Sequence, residues 1–170
     1  MISDLIRQLK DDDKDIRSFA ALQLKNIGDK AAIEPLIETL SDNDPVVRQS
    51  AIHSLSVLGF NTGKKCVVKY IAHSLNDKDR MVRKEAAMAL GTWLLNMIED
   101  IKVVQMLVER LKDDDQEVAD RAEFALGNLY QKKNNYDIIR PLLEAENDED
   151  DIIRDKVKKI LAGQIRIEKK

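Results

Sequence analysis

Apolar residues along this chain fall into short helical stripes separated by acidic turns. Ile2, Leu5, Ile6 and Leu9 form one stripe, and Ile33, Leu36, Ile37 and Leu40 repeat it. The turns are Asp11-Asp12-Asp13, Asp42-Asn43-Asp44, Asp77-Lys78-Asp79, Asp113-Asp114-Asp115 and Asp148-Glu149-Asp150. Four residues past each turn stand Arg17, Arg48, Arg83, Ala119 and Arg154, at intervals of 31, 35, 36 and 35 residues. The position before is Ile16, Val47, Val82, Val118 or Ile153, three after is Ala20, Ala51, Ala86, Ala122 or Val157, and seven after is Leu24, Leu55, Leu90, Leu126 or Leu161. Numbered from the arginine, positions −1, +3 and +7 share one helical face and predict a buried stripe.

Each unit therefore reads as helix A, a tight acidic turn and helix B. Asp13, Asp44, Asp79, Asp115 and Asp150 stand where an N-cap belongs, accepting free backbone N–H groups at the positive helix end. Gly28 and Gly59 are placed to stop the first two B helices. A hairpin of this size cannot bury its apolar face alone, so successive units must stack. The units are 1–28, 29–61, 62–98, 99–134 and 135–170. The segment from Gly59 to Lys65 is expected to be a long connection, with longer connections also near Asn96–Glu99 and Gln131–Asn135. None is long enough or rich enough in Pro and Ser to separate domains.

These residues resemble a known family. Ala32-Ile33-Glu34-Pro35-Leu36-Ile37 and the stretch from Asp44 to Ala51 look like HEAT repeats, of the short subtype first noted in phycobilisome bilin-lyase subunits. Pro141 repeats the place of Pro35, and Ala86–Gly91 and Ala122–Gly127 look like the helix B signature. The resemblance covers essentially the whole chain and is specific for the fold. It implies an all-α protein, a right-handed α-α superhelix of about five HEAT-like hairpins forming one solenoid over residues 1–170. It implies that Arg17, Arg48, Arg83 and Arg154 form a structural ladder with aspartates of adjacent turns, and that the B helices line the concave face. Ala119 in place of the arginine, and Glu146 in place of the leucine closing helix A, depart from the pattern, so the last two units should be less regular.

Composition narrows the function classes. The chain is 35% charged, against about 25% in a typical domain, with 44% hydrophobic and only 4% aromatic residues. One cysteine excludes a disulfide scaffold, and two histidines leave too few soft ligands for zinc. Met1-Ile2-Ser3-Asp4-Leu5 is not read as a signal peptide, and no run approaches the ~20 apolar residues of a membrane span. The net charge of −3 argues against recruitment of nucleic acid, so the expected setting is soluble and cytoplasmic. No cofactor is called for.

Candidate chemistry is sparse. The acidic turns lack the central glycine of a dedicated calcium loop and read as caps. Gly59–Lys65 is one residue short of a phosphate-binding loop and has Lys65 where Ser or Thr must hold magnesium. His53 and His73 are each followed by Ser, so the His-Glu metal motifs of the HEAT-repeat deoxyhypusine hydroxylases are missing. Cys66 has no visible base partner, and the basic, aromatic-lined groove of HEAT-like DNA glycosylases is not in this composition.

What remains is a surface. B-helix positions expected to be free of the core vary widely. Row +5 reads Leu22, His53, Met88, Phe124 and Lys159; row +2 reads Phe19, Ser50, Glu85, Arg121 and Lys156. Row +1 contains Lys84, and row −2 reads Asp15, Val46, Met81, Glu117 and Ile152. Apolar and aromatic residues in these rows point to a protein-contact patch. The candidate partner-binding residues are Phe19, Leu22, His53, Met81, Lys84, Met88, Arg121 and Phe124. Lys156, Lys158, Lys159, Arg166, Lys169 and Lys170 give the last unit a basic, solvated cap. The expectation is a non-catalytic scaffold, monomeric or weakly oligomeric, for a protein or peptide partner. The alternatives are an accessory subunit of a bilin lyase-like enzyme and, less favoured, a nucleic-acid binder.

Overall fold

The computed structural model describes residues 2–132 and 136–163. Its helices are α1 (Ile2–Gln8), α2 (Lys14–Ile27), α3 (Ile33–Thr39), α4 (Pro45–Thr62), α5 (Val67–His73), α6 (Arg80–Gly91), α7 (Ile101–Glu109), α8 (Gln116–Lys132), α9 (Tyr136–Glu144) and α10 (Asp151–Leu161). No strand occurs among the described residues. Odd-numbered helices are the A helices and even-numbered ones the B helices. The first four pairs pack directly, and the 3-10 turn Ala145–Asn147 links α9 to α10.

The acidic turns make these hairpins. Asp13, Asp44, Asp79, Asp115 and Asp150 each accept the N–H two residues ahead at 2.8–3.0 Å. Each such cap contributes about 1 kcal/mol. Two residues earlier, Asp11, Asp42, Asp77, Asp113 and Asp148 do the same for the N–H of the capping aspartate, at 2.9–3.1 Å. Two carboxylates, two positions apart, thus shape every turn, which is why the Asp-x-Asp pattern recurs.

Stacking follows the predicted stripe. Position +3 is fully buried in all five B helices, and +7 in the first four, with Leu161 half-buried at the end. Position −1 is buried from Val47 onward, but Ile16 in α2 stays 38% exposed. Ser50 and Glu85 were expected on the free surface. Both are buried, because +2 faces the preceding B helix: Ser50 Oγ lies 2.8 Å from Ser18 Oγ, and Glu85 Oε1 lies 3.1 Å from His53 Nδ1.

Gly28 ends α2 as expected, with φ 74°. Gly59 does not end α4. The helix runs through it to Thr62 and stops at Gly63, φ 67°, so the expected long loop from Gly59 shrinks to Gly63–Cys66. The glycine has a packing cause: a Cβ there would come 2.4 Å from Val67 Cγ2 of α5.

Through α8 the B helices pack more closely on one another than the A helices do, and shallow grooves open between successive A helices. The B layer is therefore the inner side of the curve. At the last junction the order reverses, α7 and α9 being closer than α8 and α10. This is the loss of regularity expected from Ala119 and Glu146.

The B helices α6 and α8 approach closely at Gly91, where a Cβ would stand 2.8 Å from Ala125 Cβ and 2.9 Å from its Cα. Gly91→Ala should cost about 1–3 kcal/mol through overpacking, read as a lower melting temperature by circular dichroism. In a double-mutant cycle with Ala125→Gly the two changes should couple favourably; zero coupling would remove this contact as the cause.

Candidate partner-binding face

The arginine positions decide which charges are free. Arg17 donates from Nε and Nη2 to both carboxylate oxygens of Asp42, at 2.7 and 2.8 Å. Arg48 grips Asp77 in the same way at 2.8 and 2.7 Å, and Arg83 grips Asp113 at 3.0 and 2.8 Å. The remaining Nη1 donates backward to two carbonyls of the arginine's own turn: Asp11 and Asp12, Asp42 and Asn43, or Asp77 and Lys78. Each arginine therefore ties its own turn to the next. A planar fork with a third donor suits this task, and lysine does not.

Arg154 keeps the backward bond, to Asp148 O at 2.8 Å, but its carboxylate partner is Asp151 of its own helix. With Ala119 in the fourth rung, Asp148 receives no arginine from α8. A second, outer track of cations meets the capping aspartates of the next turn: Lys14 with Asp44, Arg80 with Asp115 and Lys112 with Asp150, at 2.8–3.3 Å.

Electrostatics follow from this geometry. Burial pushes the carboxyls of Asp42, Asp77 and Asp113 upward. Bonds from Arg17, Arg48 and Arg83, and from the backbone N–H two residues on, outweigh it and hold all three below the usual carboxylate range.

The B-helix surface is divided by the same neighbours. Leu22, His53, Met88 and Phe124 occupy the same register on α2, α4, α6 and α8, and all four are half-buried. His53 is also structural: its Nδ1 faces Glu85 on α6, and its Nε2 lies 3.1 Å from Lys25 Nζ on α2. Lys84 is paired with Glu117 of α8 at 2.7 Å. Arg121 is exposed, and Met81 is 38% exposed in register with Val46 (51%) and Ile152 (56%) at the amino ends of their helices. Phe19, at 58% exposure, does not join Met88 and Phe124. It lies on the side of α2 that faces away from the rest of the stack, the +2 side.

The sequence reading passed over one exposed aromatic pair. Phe60 and Trp93 meet edge to face, with ring centroids 5.7 Å apart, at the carboxyl ends of α4 and α6. Trp93 stands at +10, where α4 and α8 carry the buried Leu58 and Leu129. That mismatch was the available signal.

Other candidates disperse. Cys66 is exposed before α5, its neighbour Lys65 is paired with Glu99, and His73 is exposed at the end of α5. No group of three or more His, Cys, Asp or Glu side chains suited to a metal occurs among the described residues, and no described helix is long and apolar enough to cross a membrane. A groove of about 750 Å³ between α3 and α5, lined by Ile37, Tyr70 and His73 among others, is on the A layer and open to solvent. Arg166, Lys169, Lys170 and residues 133–135 of the last connection lie outside the described residues.

Two family models match the chain. One, described as HEAT repeats, matches residues 2–61; the other, described as non-SMC mitotic condensation complex subunit 1, matches residues 49–170. No curated protein matches at a significant level. Solved structures share the fold. A designed armadillo repeat protein in complex with the peptide (KR)4 has a TM-score of 0.62 and 18% identity, over 95% of this chain and 81% of that one. The CpcE–CpcF complex of phycocyanin lyase from Nostoc sp. PCC7120 has a TM-score of 0.64 and 19% identity, over 96% of this chain and 64% of that one. The crescerin TOG domain structure has a TM-score of 0.65 and 20% identity, over 95% of this chain and 72% of that one.

The ladder sets an acid limit on stability. Carboxyls whose folded pKa is depressed contribute stability that is complete above the unfolded value, about 3.9 for Asp, and is lost as pH falls through the folded value. The melting temperature should hold from pH 7 to about 5 and fall steeply below about 4. Arg48→Ala, which strands Asp77 at a buried rung, should cost ~3–5 kcal/mol at neutral pH and flatten that acid fall. Arg154→Ala should cost much less. Equal losses at the two sites would refute the inter-turn role.

Proposed function

This chain belongs to the HEAT-repeat proteins, through the HEAT-repeat model over residues 2–61 and the non-SMC mitotic condensation complex subunit 1 model over residues 49–170, and on that footing we propose that it is a non-catalytic scaffold that binds a protein or peptide partner on its B-helix face. The observation that carries this reading is the row Leu22, His53, Met88 and Phe124. It runs in register across four stacked helices on the inner side of the curve and varies from unit to unit, while +3 and +7 stay small or leucine-like. A preformed helical frame loses little ordering entropy on binding, so half-exposed apolar side chains on it make effective anchors. Met81, Val46 and Arg121 extend the surface toward the amino ends of the helices.

The ladder geometry weighs against nucleic acid. Arg17, Arg48 and Arg83 spend their donors on aspartates and turn carbonyls, which withdraws the repeated arginine row from phosphates. The likeness to a phycocyanin lyase complex is one of fold, and the sparse chemistry around Cys66 and the histidines gives an accessory-enzyme reading no site of its own. A cytoplasmic setting is part of this proposal, in keeping with a single cysteine and no need for disulfides.

Affinity capture from the native host, followed by mass spectrometry, should yield a specific partner. Met88→Glu combined with Phe124→Glu should reduce its capture at least tenfold while leaving the circular dichroism spectrum unchanged. Undiminished capture by that folded variant would displace the site from this face.

A further inference from the structure

The junctions between successive units are tied unequally. Side chains join α2 to α4 through Ser18 with Ser50 and Lys25 with His53, and α4 to α6 through His53 with Glu85. Between α6 and α8, Lys84 meets Glu117, and Asn128 Nδ2 donates to Gly91 O at 3.0 Å. This third junction carries a further clamp. Arg83 of α6 forks onto Asp113 of the next turn, and Arg110, just past α7, donates back from Nη1 to Leu75 O at 3.2 Å. The two arginines cross the junction in opposite directions. The fourth junction is different. Ala119 stands where a fork would start, Asp148 accepts the N–H of Asp150 and receives no arginine, and Arg154 closes on Asp151 of its own helix. Among the described residues no side-chain hydrogen bond or ion pair joins α8 to α10. The two turns are linked by Lys112 to Asp150 at 3.0 Å, with the side chains 48% and 30% exposed. A lysine pair open to solvent contributes little.

We propose that the fourth junction is the hinge of the solenoid: α9 keeps its place on α7 as the pivot, and α10 swings on α8. The pivot is assigned to the A layer because α7 and α9 are the closer pair at this junction. What holds α10 to the stack is apolar burial of Ile153, Val157 and Ile160. That force is non-directional, so it resists separation but tolerates sliding and tilting. The forks of the earlier junctions fix distance and direction together and forbid the same motion there. The hinge is set by Ala119 and Asp148, both internal positions, and it exists without any partner. It borders the B-helix face at Phe124. Position +5 faces the following B helix in α4, where His53 meets Glu85, and Phe124 is the +5 residue of α8. A swing of α10 therefore changes the cover over that side chain.

Distances between paired spin labels on the full chain carrying Cys66→Ser, measured by double electron–electron resonance, test it. Val46, Met81, Glu117 and Ile152 all occupy position −2 and are exposed. Val46→Cys with Glu117→Cys spans the second and third junctions, and Met81→Cys with Ile152→Cys spans the third and fourth. The second pair should give a distance distribution at least twice as broad as the first. Ala119→Arg should narrow it to the width of the first pair, and adding Asp148→Asn should restore the breadth. If circular dichroism shows that the buried arginine unfolds the chain, the aspartates decide: Asp77→Asn should broaden the first pair, and Asp148→Asn should leave the second unchanged. Equal widths for the two pairs in the parent chain, an unchanged width in a folded Ala119→Arg chain, or equal responses to Asp77→Asn and Asp148→Asn would each overturn the proposal.

Discussion

One bidentate contact governs the stack: an arginine on each of the first three B helices holds the carbonyls of its own turn and the carboxylate of the next. A hairpin of some thirty-five residues has no stable existence without neighbours. Apolar burial drives the stacking but is nearly indifferent to small slides between helices. The Arg–Asp fork is not indifferent, because two parallel N–H···O bonds fix distance and direction together. The carboxylate it grips is the same one that shapes the turn by accepting a backbone N–H. Turn geometry, helix start and inter-unit register are thus coupled through a single side chain.

That coupling explains how much was legible in the chain. Caps and the −1, +3, +7 stripe are local patterns repeated five times, and the arginine recurs in four of the five units, so the all-helical stacked fold follows from them directly. The misreadings have a shared cause. Gly59 has the local signature of a helix stop, yet its meaning is set by Val67, which approaches too closely for a side chain. Ser50 and Glu85 look like surface residues because helical periodicity within one unit places +2 off the stripe. Their burial comes from the neighbouring helix. Ile16 carries a core residue's identity at a place where no neighbour covers it. Periodicity reports on a helix, while burial in a solenoid is a property of helix pairs.

The same distinction sorts the candidate site. Row +5 could be found in the sequence, since Met88 and Phe124 are large, apolar and off the stripe. The roles of His53 and Lys84 could not, because their partners Glu85 and Glu117 lie 32 and 33 residues away. Those two residues bridge neighbouring helices, so they shape the floor of the face more than its contact points. Phe60 and Trp93 were hidden by the opposite problem: the first was assigned to a loop that is helix, and the second lies beyond the regular end of α6.

Variation along the stack completes the physical account. The first three rungs are intact, the fourth has Ala119 in place of its arginine, and the fifth closes on its own helix through Asp151. Where the fork is missing, the B helices draw apart and the A helices draw together. The one junction without an arginine from the preceding B helix is also the one where the A helices are the closer pair. A frame set by turn chemistry does not depend on mid-helix side chains such as Met88 and Phe124, and the proposed partner face draws on those positions.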